Sequence, residues 1–237
     1  MKLLNVSVDT LYVKGALAEF DYDALAKYFC DVPGAGGHYR HKWVSYLDDS
    51  LDLYTLLVRR PETWDFKCRI GSKAFMRCGD PSILLIPVPI SKAFIGSVDI
   101  AFDFTGLSLG KHFRIKKMVQ TVNDDGLVIR RSGYDNSVQY EVDDRPTGWG
   151  IGSRNRLLIR VYDKVAELRA NPSQVKESYV GAYDSEDVTR VEFSIVGPFK
   201  HYEVPLPKEL NDINYYLGVC RDWVLERVEP ITAHGNE

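Results

Sequence analysis

Apolar and polar residues alternate along several segments of this chain, and strict alternation is typical of a strand with one buried face. The alternation is clearest in four segments, at residues 5–14, 96–104, 156–164 and 187–196. Shorter strands are predicted from apolar runs bounded by turn residues, at residues 44–54, 65–70, 74–78, 82–87, 126–131 and 137–142, with the last two paired as a hairpin. The pattern therefore predicts a sheet of many short strands joined by turns.

Apolar residues three and four positions apart, the spacing of an amphipathic helix, appear at residues 21–29 and 210–228. Residues 165–170 also permit a helix, which the proline at position 172 ends. We expect the helix at residues 210–228 to lie across the sheet. The pattern predicts an α+β fold in a single domain over residues 1–237, with a mainly antiparallel sheet and helices covering one face.

The strand at residues 156–164 follows a predicted glycine turn at residues 148–152 and has an unusual polar face. Because strand side chains alternate, Arg160, Tyr162 and Lys164 share that face. Two cations beside a phenol can hold a phosphodiester and favour the phenolate, so Tyr162 is a candidate nucleophile. The alternative is a sheet tyrosine whose basic neighbours are simply solvated.

Two other predicted strands combine a clean apolar face with a face that carries acidic residues. One of them places Asp99 and Asp103 on the same face, and the other presents Glu192. If these strands and the tyrosine strand lie in one antiparallel sheet, the three carboxylates and Tyr162 converge on one surface. Neighbouring carboxylates suit Mg²⁺ or Mn²⁺, which would polarise a phosphoryl oxygen while the tyrosine attacks phosphorus. Solvated charges on a half-exposed sheet are the alternative for each strand taken singly.

The overall composition limits the function classes without excluding a nuclease. The net charge of −3 and the pI near 6.0 argue against a protein that coats nucleic acid, but they allow a nuclease with local basic patches. The four cysteines form no CxxC pair and are expected to be reduced core thiols. The N-terminal apolar run is too short for a signal peptide, and no run is long enough to span a membrane. We therefore expect a cytoplasmic protein.

Four short motifs, taken in chain order, resemble the Rep_trans family of rolling-circle replication initiators from plasmids and filamentous phages, together with related relaxases of conjugative elements. The motifs are VDIAFD at residues 98–103, GSR at 152–154, RVYDKVAE at 160–167 and TRVE at 189–192. The resemblance covers about residues 5–228. It implies a metal-dependent, strand-specific DNA nickase and joinase whose core is similar to that of the HUH endonucleases, with Tyr162 as nucleophile and acidic metal ligands replacing their paired histidines.

Under this interpretation the chemical roles fall on a small set of side chains. Arg160 and Lys164 would neutralise the scissile phosphate beside the Tyr162 nucleophile. The Mg²⁺ or Mn²⁺ ligands would be Asp99, Asp103 and Glu192, with Glu167 as a further candidate. Basic side chains are expected to hold the DNA backbone, namely Arg154, Arg156, Arg190, Lys111, Arg114, Lys116 and Lys117.

The expected partner is origin DNA, either single-stranded or extruded as a cruciform, and a host helicase is a further candidate. The oligomeric state stays open, with a homodimer as one option. Two alternative functions are compatible with the same residues. One is a relaxase that starts conjugative transfer by the same chemistry, and the other is a non-catalytic, DNA-binding replication regulator with the same fold.

Overall fold

A ten-stranded antiparallel sheet is the framework of the computed structural model. The structure describes residues 1–19, 21–31, 41–45, 54–58, 65–86, 88–107, 120–122, 128–130, 137–142, 145–170 and 187–226. The strands in this part of the chain are Lys2–Leu17 (β1), Phe29–Asp31 (β2), His41–Ser45 (β3), Tyr54–Val58 (β4), Asp65–Ile70 (β5), Ile90–Thr105 (β6), Gln120–Val122 (β7), Val128–Arg130 (β8), Ser137–Val142 (β9), Arg145–Ser153 (β10), Leu157–Asp163 (β11) and Val188–Ile195 (β12).

The order of strands in the large sheet is β2-β3-β4-β5-β1-β6-β12-β11-β10-β9, and β7 pairs with β8 in a separate two-stranded sheet. The helices are Tyr22–Ala26 (α1), Ser72–Cys78 (α2), Lys164–Ala170 (α3), Gly197–His201 (α4) and Ile213–Leu225 (α5), and residues Pro81–Leu85 form a 3₁₀ turn. The α+β class with a mainly antiparallel sheet is thereby confirmed.

The core lies on one face of the sheet, because the strands alternate as their sequences predict. Along β1, Leu11 and Val13 are fully buried, while Tyr12 between them is only partly buried and lies on the opposite face. Helices α4 and α5 add Phe199 and Tyr216 to the same core. The opposite face of the central strands therefore remains available for polar residues.

Side-chain caps fix where two helices begin. The Asp212 carboxylate accepts a hydrogen bond from the Tyr215 backbone N–H at 3.0 Å, which satisfies one of the unpaired N–H groups at the start of α5. At the end of β11, the Asp163 carboxylate accepts from the Ala166 N–H at 2.9 Å. This second cap ends the strand directly after Tyr162 and turns the chain into α3.

Several predicted elements differ from the structure. The strand predicted at residues 74–78 is part of helix α2, whose lysine, alanine and methionine are good helix formers. The strand predicted at residues 82–87 is replaced over residues 81–85 by the 3₁₀ turn. There Pro81 presets the backbone, and the Asp80 carboxylate accepts from the Ser82 N–H at 3.1 Å.

The predicted turns and pairings near the tyrosine strand also differ. Residues 148–152 lie inside strand β10, and the turn that leads into β11 falls at residues 154–156. The hairpin predicted between residues 126–131 and 137–142 does not form, because β8 pairs with β7 and β9 pairs with β10. Helices α1 and α5 are shorter than predicted.

The expectation that the cysteines are core thiols holds for two of the four. Cys68 and Cys220 are buried in the core, whereas Cys30 is exposed. No disulfide joins any of the four cysteines. Within the part of the chain that the structure describes, no helix has both the length and the apolar character needed to cross a membrane.

Candidate catalytic site

The register of three central strands places the predicted polar residues on one face of the sheet. Strand β12 lies between β6 and β11 and pairs antiparallel with both. In one cross-strand row Asp103 stands opposite Arg190, which stands opposite Tyr162. In the next row Glu192 stands opposite Arg160. Directly opposed side chains in neighbouring strands are close enough to interact, so these five residues form a continuous polar surface.

Glu192 is the centre of the hydrogen-bonding network on this surface. The Tyr162 hydroxyl donates to Glu192 Oε2 at 3.0 Å, and the Arg160 guanidinium donates to Glu192 Oε1. Arg160 Nη2 also lies 3.7 Å from Asp99 Oδ2 and 3.5 Å from Ser194 Oγ. The guanidinium of Arg160 therefore acts as an internal cation between two carboxyl groups.

These two carboxyl groups hold protons more tightly than ordinary acids do. Burial, followed by repulsion from Asp9, raises the pKa of Glu192 to about 7. Burial likewise raises the pKa of Asp99 to about 6, although the hydroxyl of Ser194 and the charge of Arg160 act in the opposite direction. Asp99 and Glu192 therefore lie where an additional cation or a proton is favoured.

Tyr162 is a phenol in this environment, and the expectation that its basic neighbours favour the phenolate is wrong for the protein without bound DNA or metal. Burial is the largest effect and raises the pKa of Tyr162 well above its ordinary value, and the negative charge of Glu192 raises it further. The charge of Arg190 opposes these effects without outweighing them. Ionising Tyr162 therefore requires an acceptor for its proton.

Lys164 is the first residue of helix α3 and is buried rather than solvated. Its ammonium group donates to Glu167 Oε2 at 2.7 Å and lies 5.9 Å from the centroid of the Tyr162 ring. Burial, followed by the charge of Arg190, lowers the pKa of Lys164. The cation thus lies beside the candidate nucleophile, with Glu167 as its partner.

The side chains of Asp103 and Arg190 are the most deeply buried of these five residues and form an ion pair. Arg190 Nε and Nη2 donate to the two carboxylate oxygens of Asp103 at 2.6 and 2.8 Å, and Arg190 Nη1 donates to Asp9 Oδ1 at 3.0 Å. Arg190 is 2% exposed and Asp103 is 0% exposed. Asp103 was predicted to bind metal and Arg190 to bind DNA. Because they are buried and hydrogen-bonded to each other, neither side chain is placed for its predicted contact.

Asp9 belongs to the site and was not predicted from the sequence. The pairing of β1 with β6 shifts between Val8 and Thr10, so that Asp9 is the extra residue of a β-bulge. Its carboxylate accepts from Arg190, and its charge raises the pKa of Glu192. An acidic residue inside an alternating strand is a visible signal, but the bulge that directs it toward the site has no simple pattern in the sequence.

A groove with a volume of about 1090 Å³ runs over the polar face and includes Tyr162, Arg160 and Arg154 in its lining. Arg154 and Arg156 are exposed in the turn before β11. The remaining predicted DNA-binding residues, Lys111, Arg114, Lys116 and Lys117, lie outside the described residues. Among the described residues, no three carboxylate, imidazole or thiol groups are arranged as a ready ligand set for a metal ion.

The absence of a side chain at Gly148 lets strand β10 approach Tyr162 closely. The two residues are directly opposed in β10 and β11, and a Cβ atom on Gly148 would overlap Tyr162 Cβ and the Val161 carbonyl oxygen. A larger residue at position 148 would therefore push the tyrosine strand away or rotate the tyrosine. The glycine-rich segment before β11 thus contributes a close approach between strands.

We expect Gly148→Ala to lower the free energy of unfolding by about 1–3 kcal/mol, as overpacking does, and to slow any reaction at Tyr162. Chemical denaturation measures the first effect. Gly218→Ala in α5 is a matched control, because no atom lies within 4 Å of the added Cβ. Equal stability of the Gly148→Ala variant and the wild type would contradict the steric role.

The raised pKa values of Asp99 and Glu192 predict how stability depends on pH in the metal-free protein. Both groups ionise near pH 4 in an unfolded chain, so the folded protein binds more protons from about pH 4 to about pH 7. Their contribution to stability is complete below this window and is lost as the pH rises through it. We expect the melting temperature in EDTA to fall more steeply across the window in wild type than in the double variant Asp99→Asn/Glu192→Gln. The exposed Glu19→Gln variant should keep the wild-type slope, and an unchanged slope in the double variant would contradict the assignment.

No family model matches this chain, and no curated protein matches it. A solved structure that is similar to the chain is that of a rolling circle replication initiator protein from Geobacillus stearothermophilus. The TM-score is 0.48, the sequence identity is 12%, and the similarity covers 99% of this chain and 90% of that chain.

Proposed function

We propose that this protein is a DNA-nicking and rejoining enzyme that initiates rolling-circle replication, with Tyr162 as its nucleophile. The observation that carries the proposal is the hydrogen bond of 3.0 Å from the Tyr162 hydroxyl to Glu192 Oε2. It joins a candidate nucleophile to a proton acceptor on the floor of an open, polar groove.

The reaction proposed for Tyr162 is a transesterification at phosphorus. The phenol oxygen bonds to the scissile phosphorus as its proton passes to Glu192 Oε2, and the bond from phosphorus to the 3′-oxygen of the leaving strand breaks. The 3′-oxygen takes up a proton from solvent in the open groove, which leaves a free 3′-hydroxyl and a 5′-phosphotyrosine. Because one phosphodiester replaces another, the reverse reaction rejoins the strand without an external energy source.

Glu192 suits the role of proton acceptor because its pKa of about 7 is close to neutral pH. At that pH a substantial fraction of the carboxyl groups is ionised and able to accept. The Arg160 guanidinium on Oε1 leaves Oε2 directed at the Tyr162 hydroxyl. The carboxyl group is thus oriented for the transfer before DNA binds.

The proposal includes a divalent cation, whose ligands would have to rearrange because no three carboxylates stand ready as a ligand set among the described residues. Asp103 is left out of that set because both of its oxygens accept from Arg190. Asp99 and Glu192 are crowded carboxyl groups with raised pKa values, Asp9 adds a third negative charge nearby, and oxygen ligands suit Mg²⁺ or Mn²⁺. We propose that Asp9, Asp99 and Glu192 Oε1 would hold the ion, which would replace Arg160 on Oε1 and leave Oε2 free for the Tyr162 proton. When bound, the ion supplies positive charge that polarises the phosphoryl oxygen.

We expect Mn²⁺ to raise the melting temperature of the protein in the absence of DNA, because an ion that binds only the folded state stabilises it. Asp99→Asn should lose this response, and Arg160→Gln should strengthen it by removing the competing cation. The exposed Asp23→Asn variant is the matched control. An unchanged response in Asp99→Asn would place the ion elsewhere.

The remaining cations are proposed to hold and neutralise DNA. Arg160 and Lys164 supply positive charge beside Tyr162, while Arg154 and Arg156 hold the backbone from the turn before β11. Lys111, Arg114, Lys116 and Lys117 are proposed to extend this contact. Arg190 acts on DNA only indirectly in this proposal, by fixing Asp9 and Asp103.

The decisive experiment incubates the protein with supercoiled DNA of its own genetic element, with and without Mn²⁺, and resolves the products on a denaturing gel. A nicked circle with protein attached at its 5′ end supports the proposal. Binding that leaves the DNA intact favours the non-catalytic regulator instead. A relaxase would perform the same chemistry, and a requirement for a transfer origin rather than a replication origin distinguishes it.

The proposed setting is the cytoplasm, with residues 1–237 acting as one domain. A host helicase and a homodimer remain candidate partners, which pull-down and light scattering test.

A further inference from the structure

We propose that the groove continues away from Tyr162 into a basic arm that holds a single-stranded DNA segment flanking the scissile bond. The basic arm is defined by Tyr12, Lys67, Arg69, Lys92 and Lys200, all of which line the groove. This inference rests on the proposed function, and it assigns DNA contacts on strands remote from the tyrosine strand.

Strand register places Tyr12, Lys67 and Arg69 of the basic arm on the same face of the sheet as the candidate site. Thr10 of β1 stands opposite Asp99, and two residues along the same strand Tyr12 stands opposite Arg69. Lys67 lies two residues before Arg69 in β5 and therefore shares its face. The arm is thus a lateral continuation of the catalytic surface across β1 and β5.

The arm begins next to the site. Arg69 of β5 and Asp99 of β6 lie on the two strands that flank β1, and both line the groove. A DNA strand whose scissile phosphate lies at Tyr162 would therefore meet Arg69 next to the carboxyl groups of the site. From there the arm leads outward to Lys67 and Lys92, which are both exposed.

The basic arm carries an excess of positive side chains, although the whole chain has a net charge of −3. Near Tyr162 the lining has four acidic residues beside Arg160 and Lys164, namely Asp9, Asp99, Glu167 and Glu192, whereas four cations line the arm. Among the described lining residues, only Asp65 and Glu203 add negative charge outside the acidic cluster. The arm therefore attracts phosphates, while the cluster at the other end attracts a metal ion.

Tyr12 favours a single strand over a duplex. Its ring is partly buried in the floor of the groove, and the Lys67 ammonium lies 4.7 Å from the ring centroid. An aromatic ring beside cations is the combination on which unpaired bases stack while their phosphates are neutralised. A base inside a duplex keeps its faces covered by its neighbours and cannot stack on a ring in the floor of the sheet.

The test measures the salt dependence of binding to fluorescently labelled oligothymidylates, in lengths from about 4 to 16 nucleotides. All proteins carry Tyr162→Phe, so that no cleavage accompanies binding. Each phosphate neutralised on a single strand contributes about 0.7 to the slope of log K against log salt. We expect Lys67→Ala/Arg69→Ala to make that slope shallower by about 1.4, with the largest loss of affinity for the longer oligonucleotides.

Two further variants keep the test decisive. Lys67→Ala/Lys92→Ala removes two exposed cations and should make the slope shallower by a similar amount. It replaces the first variant if Arg69→Ala disturbs folding. Lys27→Ala/Lys208→Ala removes two exposed lysines outside the groove and should leave the slope unchanged. Melting temperatures establish that each variant is folded.

The outcomes separate this inference from the proposed function. A wild-type slope in both arm variants, or no binding of oligothymidylate by the parent, overturns the basic arm. A shallower slope combined with the absence of any covalent adduct in the wild type supports the arm and overturns the nickase proposal. An adduct in the wild type with unchanged slopes in the variants leaves the nickase standing without the arm.

Discussion

Tyr162→Phe is expected to abolish the covalent protein–DNA adduct while leaving the fold and the affinity for DNA nearly unchanged. The substitution removes only the hydroxyl, which is the proposed attacking group and the donor to Glu192 at 3.0 Å. The ring keeps its packing between β10 and β12. Since no other group then attacks phosphorus, we expect the adduct to fall below detection rather than to decrease by a small factor.

The measurement is a denaturing gel with end-labelled origin DNA and Mn²⁺, with binding followed in parallel by anisotropy. Tyr28→Phe is the matched control, because Tyr28 is 52% exposed and lies outside the groove. An adduct that persists in Tyr162→Phe removes Tyr162 from the role of nucleophile. Loss of the adduct together with loss of binding and folding would show a structural role instead.

Arg190→Met is expected to have the largest effect on stability. It leaves Asp103 as a buried carboxylate without the guanidinium that now donates to both of its oxygens. Breaking one partner of a buried ion pair typically lowers the free energy of unfolding by about 3–5 kcal/mol. Equilibrium unfolding in urea measures the loss directly.

The double variant Arg190→Met/Asp103→Leu distinguishes an uncompensated charge from lost packing. Replacing both partners by apolar residues of similar volume is often close to neutral, so we expect most of the stability to return. Asp9 also loses its contact with Arg190 in both variants, but it is partly exposed and can be hydrated. A single variant as stable as the wild type would show that the ion pair contributes little.

Four of the main strands were predictable because their sequences alternate, and β5 was predictable from an apolar run between turn residues. Strands β1, β5, β6, β11 and β12 lie where the pattern places them, although β1 and β6 are longer than predicted. The period of two along a strand also predicted which residues of β6, β11 and β12 share the polar face of the sheet. Local alternation is sufficient for these strands because each has one face on the core.

The segment after β5 was mispredicted because local pattern does not separate short strands from short helices. Residues 74–78 and 82–87 are brief apolar runs. In runs of this length a strand period of two and a helix period of 3.6 both agree with the pattern. Their helical form depends on contacts from far along the chain, such as the Leu210 N–H that donates to the Asp80 carboxylate at 3.0 Å. No window of sequence around residue 80 contains that contact.

The sequence predicted which residues make up the candidate site better than it predicted what each of them contacts. Strand facing brought Asp99, Glu192, Arg160 and Tyr162 together. Which carboxylate pairs with which cation depends on burial, and burial follows from the whole sheet. Asp103 shares a face of β6 with Asp99, but it is more deeply buried. Its two oxygens accept hydrogen bonds from Nε and Nη2 of Arg190.

The position of β12 between β6 and β11 has a consequence for the newly synthesised chain. Asp103 and Arg190 are 87 positions apart, and Tyr162 precedes Glu192 by 30. When Tyr162 emerges from the ribosome, Glu192 follows 30 positions later and has not yet emerged. Contacts between such distant positions form slowly, so we expect the site to assemble late. A chain truncated before β12 would contain Tyr162 but not its proposed proton acceptor. Strands β6 and β11 would each expose an unpaired edge, which promotes aggregation.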